Sequence, residues 1–181
     1  MNEMRQSKLE VNNQEKINTF LTKSQIGHLG LSDGLEPYVI PLNFVWFQNC
    51  IYFHGASEGR KTRILAENHL ACFTISESLG VMSNPIPAKV DTAYMSAMIF
   101  GNVTKLEDIN ISRDVMQALL DKYVPGYYNK PLSKSHLEKY VSSLGSKTTI
   151  FQLTPTKITA KENVLDEKAR FSPGRTILMD L

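Results

Sequence analysis

Apolar residues recur along this chain with two periods, and the switch between them marks the elements. Ile17, Phe20 and Leu21 follow a helical period behind Asn12 and Glu15, which stand at capping-box separation, so the pattern predicts a helix over about 13–23. Strand patterns come next: 26–31, a turn at Ser32-Asp33-Gly34, a longer strand over 37–46, a break at Gln48-Asn49, and a return strand over 50–54. A short helix fits 59–68 and a strand fits 70–76. Pro85 and Pro87 make 81–90 a loop, and a long strand runs over 93–106. Val115, Met116, Leu119, Leu120 and Tyr123 share one helical face, which Pro125-Gly126 ends. Ser135-His136-Leu137-Glu138 reads as a further capping box, with Leu137, Tyr140, Val141 and Leu144 as its stripe and Gly145 as its stop. Strands over 147–153 and 157–161 follow, and 163–181 shows no period.

Most strands are neighbours joined by short turns. That order favours an antiparallel sheet or barrel over alternating βαβ units. Two strands say more. Both faces of 37–46 are largely apolar, so both are expected to be covered. In the long strand, Ala93, Met95, Ala97, Ile99, Gly101 and Val103 form an interior face. Tyr94, Ser96, Met98, Phe100 and Asn102 form a mixed outer face suited to a ligand or a second subunit.

Composition narrows the class. The 181 residues are 42% apolar and 21% charged, with a net charge of +2. That charge is too small to argue for nucleic acid, and no apolar run reaches the length of a membrane span. Cys50 and Cys72, the only cysteines, sit in strand-like runs and read as buried thiols rather than a disulfide. The polar start lacks a secretory h-region, so a soluble cytoplasmic domain is expected.

The segment YFHGASEGRKTRIL (52–65) carries the most chemistry. It resembles a P-loop but fails as one. Three residues, not four, separate Gly55 from Gly59, and Arg60 stands where the second glycine belongs. Its strand is also the second arm of a hairpin, whereas P-loops sit in parallel sheets. An anion pocket of another kind remains open: Arg60, Lys61 and Arg63 are close together, Ser57 and Thr62 add hydroxyls, and a helix start would aim free N–H groups at a phosphate. A solvated basic turn is the other reading.

Pro-Leu-Asn-Phe-Val-Trp at 41–46, Tyr-Phe-His-Gly-Ala at 52–56 and Gly-Arg-Lys at 59–61, in this order, resemble the flavin-binding split barrels related to pyridoxamine 5′-phosphate oxidase, and among them the nitroimidazole-resistance group. The resemblance covers about residues 5–162. It implies a mainly β (α+β) fold, an antiparallel split β-barrel with flanking helices. Residues 1–162 would be the flavin-binding domain and 163–181 a C-terminal extension. It further implies a homodimer with FMN at the interface, acting on a small-molecule substrate, with no part for nucleic acid or membrane. Carried over, Lys61 and Ser57 would meet the phosphate, with Arg60 or Arg63 helping. Leu42, Asn43, Phe44 and Val45 would lie along the flavin ring, Ala56 would permit close approach, and Ser96 would add a polar contact. The implied activity is FMN-dependent oxidoreduction, reaching nitroaromatics such as nitroimidazoles. The alternatives are a flavin-binding or storage module without catalysis, and a split barrel that holds haem or a deazaflavin.

Among single residues, His54 shares a strand face with Cys50 and Tyr52 and is the candidate proton donor to a reduced substrate. The competing role is a structural histidine. His28 could reach the same opening. The four histidines show no metal-ligand spacing, so no metal site is expected.

Overall fold

The computed structural model describes residues 6–139 and 148–181. Seven strands, β1 (Ile26–Ser32), β2 (Pro37–Asn43), β3 (Val45–Phe47), β4 (Cys50–Ala56), β5 (Leu70–Met82), β6 (Asp91–Lys105) and β7 (Thr148–Asn163), form one sheet in the order β2-β1-β5-β6-β7-β4-β3. Every pairing is antiparallel. β2 and β3 are separated by Phe44 alone, yet they lie at opposite ends of that order. Six inter-strand gaps in a flat sheet would span about 29 Å, far beyond the reach of one residue. The sheet therefore curls until its two ends meet at Phe44. The fold is mainly β, a barrel split at that junction.

The expected strand over 37–46 is thus two strands on opposite edges. Its two faces also differ: Tyr38, Ile40 and Leu42 pack against the core, while Val39 is 61% exposed. At the junction Phe44 leaves the ladder, and the end of α3 (Ile109–Tyr123) satisfies its backbone. The Phe44 N–H donates to the Tyr123 hydroxyl at 2.8 Å, and its carbonyl accepts from the Lys122 ammonium at 2.9 Å. The Phe44 ring is fully buried, edge-on to Phe73. Tyr123→Phe is expected to cost about 1–3 kcal/mol, because it orphans a buried N–H. Urea midpoints would check this, and an unchanged midpoint would mean that water replaces the hydroxyl.

The interior face of β6 is buried from Ala93 to Val103, as its alternation predicts. On the other side of the sheet, α3 packs Val115, Met116 and Leu119 against Val45, Cys50, Tyr52 and Ile150. Helix α1 (Gln14–Lys23) contributes Ile17, Phe20 and Leu21 to the barrel core. Its cap is Asn13, whose side chain accepts from the Lys16 N–H, and not Asn12. α4 (Lys134–Glu138) follows Ser133 rather than Ser135, and the rest of its expected stripe, at 140, 141 and 144, lies outside the described residues.

Two expectations of length change. β5 runs on to Met82 through a bulge at Ser78/Gly80, so the proline loop begins later. The two late strand segments are one strand, β7, which bulges between its pairings with Phe100 and Gly101. Pro155 is accommodated there. The final segment packs on the tip of the β5–β6 hairpin. The Phe171 N–H donates to the Val81 carbonyl, and Arg175 pairs with Asp180, which also accepts from the Ser83 hydroxyl. Cys50 and Cys72 are free thiols. Among the described residues, no helix is long and apolar enough to cross a membrane.

Candidate functional site

The loop after β4 is built by a change of direction. β4 ends at Ala56, the chain bends through 57–59, and α2 (Arg60–Glu67) begins. Gly59 makes the turn at φ +112°, where a side chain would be strained. No side chain caps α2, so its first-turn N–H groups have no partner within the helix. Ser57 is half-buried beside them and Ala56 is exposed. The Thr62 hydroxyl donates back to the Ala56 carbonyl at 3.4 Å.

Lys61 turns inward. Its ammonium lies 4.5 Å from the centroid of the Phe151 ring and 5.4 Å from that of Phe53. It occupies the space that Gly55 leaves: a Cβ on Gly55 would stand 2.1 Å from the Lys61 nitrogen. Phe53, Phe151 and Gly55 all belong to the interior side of β4 and β7, so the ammonium plugs one end of the barrel. Among the described residues no carboxylate pairs with it. Burial lowers its pKa to about 8.

Arg60, the next residue, turns the other way. Its guanidinium bonds Glu36 at 2.5 Å, lies 3.7 Å from Asp33 and stacks 4.8 Å from the Tyr38 ring centroid. Arg63 is exposed. Of the three basic residues, one points into the barrel end.

The other expected site residues are distributed as follows. Leu42 is half-buried and Asn43 exposed, but the Phe44 and Val45 side chains are buried, so at the split the surface is Asn43 and backbone. Ser96 is half-buried on the outer face of β6, in a row with Tyr94, Met98 and Phe100. His28, opposite Thr74, is exposed on that same outer face, since Thr74 in turn pairs with Met98. His54 is solvent-exposed and points from β4 to the side opposite Gly55. Although much of the residue's surface is open, partial burial of the ring, and then the Lys61 charge, push its pKa below the usual value and favour the neutral form. In that state it donates a proton less readily than an imidazolium would. Lys61 sits against Gly55, with Ala56 and Ser57 next in the chain and His54 near enough to feel its charge, while Asn43 and Ser96 lie on other strands.

Sequence reasoning missed four participants. Gly55 had a signal, since a glycine inside a strand often marks a close approach. Phe151, Tyr123 and Lys122 had none, because each reaches the site across the sheet. Burial also brings Lys122 to a pKa of about 8; Glu77 opposes this shift. A groove of about 490 Å³ lies between α3 and α4, lined by Met116, Leu120, Leu132 and Leu137 and by none of the residues of the 55–62 loop.

The family model described as pyridoxamine 5′-phosphate oxidase matches residues 13–162. No curated protein matches the chain at a significant level. Among solved structures, the flavocytochrome Anf3 of Azotobacter vinelandii is 21% identical with a TM-score of 0.74, over 92% of this chain and 77% of that one. A candidate 5-nitroimidazole antibiotic resistance protein of Bacteroides thetaiotaomicron is 22% identical with a TM-score of 0.64, over 84% and 85%. The FAD and heme binding protein of Mycobacterium smegmatis is 19% identical with a TM-score of 0.72, over 88% and 76%. At these identities the likeness is one of fold.

Proposed function

The chain belongs to the pyridoxamine 5′-phosphate oxidase family, and from that premise we propose that it is a flavin-dependent oxidoreductase that holds FMN by its phosphate at the 55–62 loop. The observation that carries the reading is Lys61: a half-buried ammonium with no carboxylate partner among the described residues, carried on the first turn of an uncapped helix that follows Ser57. A charge left unpaired at such a place costs stability, and an arriving dianion removes the cost. The donor set fits a phosphomonoester, with one ammonium, one hydroxyl and the first N–H groups of α2. The solved structures of similar fold whose names include a flavocytochrome and an FAD-binding protein support the flavin class.

FMN supplies the redox chemistry when bound, accepting electrons and passing them on. The chain supplies binding and shape. Lys61, Ser57 and the α2 N–H groups take the phosphate. Ala56, small and exposed, lets the cofactor come close. The backbone at Leu42, Asn43, Phe44 and Val45 offers an edge for the ring where the barrel is split. Ser96 adds a polar group on the outer face. That face, with Met98 and Phe100 41% and 36% exposed, suits a second copy of the chain, which would enclose the cofactor between subunits. Nitroaromatic compounds are the proposed electron acceptors, in line with the resemblance to nitroimidazole-resistance proteins.

The absorbance spectrum of purified protein, repeated after adding FMN and desalting, tests the reading. Retained flavin bands are expected, and so is oxidation of a reduced nicotinamide with a nitroimidazole present, above the rate with free FMN. A chain that retains no flavin overturns the proposal. Phe100→Asp should split the dimer and release the cofactor together, read by size exclusion with absorbance at two wavelengths. A monomer that keeps its flavin would contradict a shared site. Phe44 is unsuited to this test, because its buried ring makes an aspartate a folding defect.

A further inference from the structure

We infer that Arg60 is a positioning residue of the anion seat and not one of its ligands: it ties the first turn of α2 to the β1–β2 hairpin and so fixes the direction of Lys61. The inference rests on the FMN reading above and assigns the second basic residue of the loop a different task from the first.

α2 is eight residues long and buries only Ile64 and Leu65. A helix so short does not hold its own geometry in water. Its N-cap is Gly59, which has no side chain to cap with, so the long Thr62 hydroxyl bond to the Ala56 carbonyl is a weak local hold on the helix start. The hairpin supplies a further restraint at both ends of the helix. At the start, Arg60 reaches Glu36 and Asp33 and covers the Tyr38 ring. At the end, the Asn68 side-chain amide donates to the Ser32 carbonyl at 3.0 Å.

The hairpin end of this tie is itself held. Asp33 accepts from the Leu35 and Glu36 N–H groups at 3.0 and 2.8 Å, which locks the acid within its turn. Those bonds, with the Arg60 charge behind them, lower the Asp33 pKa. Arg63 and Glu67 line the same surface hollow, so the side of α2 that faces the hairpin carries both signs of charge. Adjacent residues on a helix point about 100° apart. With Arg60 drawn to the hairpin, Lys61 is turned to the barrel end, where it meets Phe151. Arg60's charge is already matched by two carboxylates, while none among the described residues matches that of Lys61.

Dissociation constants for FMN and for riboflavin, which lacks the phosphate, test this in wild type, Arg60→Gln, Glu36→Gln and the double variant, by flavin fluorescence. A positioning Arg60 predicts that each single variant weakens FMN by about fivefold, that the double variant is no worse, and that riboflavin is unaffected. Arg60→Lys should restore part of the loss. A ligand Arg60 predicts the reverse for Glu36→Gln, since freeing the guanidinium would tighten FMN; that result, or no effect of Glu36→Gln beside a loss in Arg60→Gln, overturns the inference. A merely structural role would lower riboflavin and FMN affinity alike, which also overturns it. If wild type binds no FMN, the functional reading fails separately. Hydrogen exchange of the amides at 61–63 then decides: faster exchange in both single variants supports the tie, and wild-type exchange in either overturns it.

Discussion

Replacing Lys61 by methionine is expected to weaken FMN about 10- to 100-fold and, in the same variant, to make the cofactor-free chain more stable. The first effect is the loss of a charge-assisted contact to phosphate, about 1.5–3 kcal/mol. Riboflavin affinity should stay as it was. The second effect follows from where the ammonium sits. In the folded chain its pKa is about 8, against about 10.4 for a free lysine. At pH 7 the folded and unfolded chains both hold the proton, so the folded state bears the full cost of the half-buried charge. As pH rises past about 8 the folded chain releases the proton while the unfolded chain keeps it. The cost is relieved, and stability climbs until the unfolded lysine also titrates.

Methionine removes that cost at neutral pH, a gain on the order of 1 kcal/mol once solvent screening is allowed for. Thermal midpoints of flavin-free wild type and variant at pH 7 and pH 10 would show a gap that narrows at the higher pH. Lys122 titrates in the same range, so the difference between the two proteins, and not the wild-type curve, isolates Lys61. Midpoints that coincide at both pH values would mean the ammonium is well solvated and no anion is needed to complete the site. The same linkage shapes binding. Phosphate beside the ammonium raises its pKa again, so FMN affinity falls as pH rises above about 8. It also falls below about pH 6, where the phosphate gains its second proton. An affinity plateau between those limits is expected.

What could be read in advance was what local pattern controls. The interior face of β6 and the buried stripe of α3 follow from periodicity, and both stand as expected. The break at Phe44 does not show in the pattern, because the alternation of Tyr38, Ile40, Leu42, Phe44 and Trp46 runs straight through it. Closure of the barrel decides it, and that is a contact between strands at the two ends of the sheet. The full length of β7 was hidden for a related reason: Pro155 reads as a break in sequence and is a bulge in the sheet. At the site, the basic loop was legible from composition. Which way Arg60 and Lys61 turn was not, since Glu36 and Asp33 come from another hairpin and Phe151 from the last strand. The hold on the final segment was equally illegible, as Ser83 and Asp180 lie far apart in the chain.

The bulge that hides Pro155 also carries the second large prediction. Gly101 faces the interior where β7 has one residue too many: Phe100 pairs with Lys157, but Gly101 pairs with Pro155. The displaced Thr156 donates its hydroxyl to the Phe100 carbonyl at 3.1 Å. A Cβ on Gly101 would stand 2.1 Å from the Thr154 carbonyl oxygen, 2.9 Å from its carbon and 3.1 Å from the Pro155 Cα. These are backbone atoms, so no change of rotamer relieves the clash, and β7 itself must move. Gly101→Ala is therefore expected to cost about 3 kcal/mol or more. Gly126→Ala is the control: at φ +74° with nothing within 4 Å of its Cβ, it should cost about 1 kcal/mol of backbone strain. Urea midpoints separate the two. If Gly101→Ala stays within the range of the control, β7 can shift without opening the barrel, and closure at Phe44 does not depend on the bulge. If it falls as expected, the effect should reach the site as well. The same strand carries Phe151, so a displaced β7 takes away the ring on which Lys61 rests, and FMN affinity should drop even where the variant remains folded.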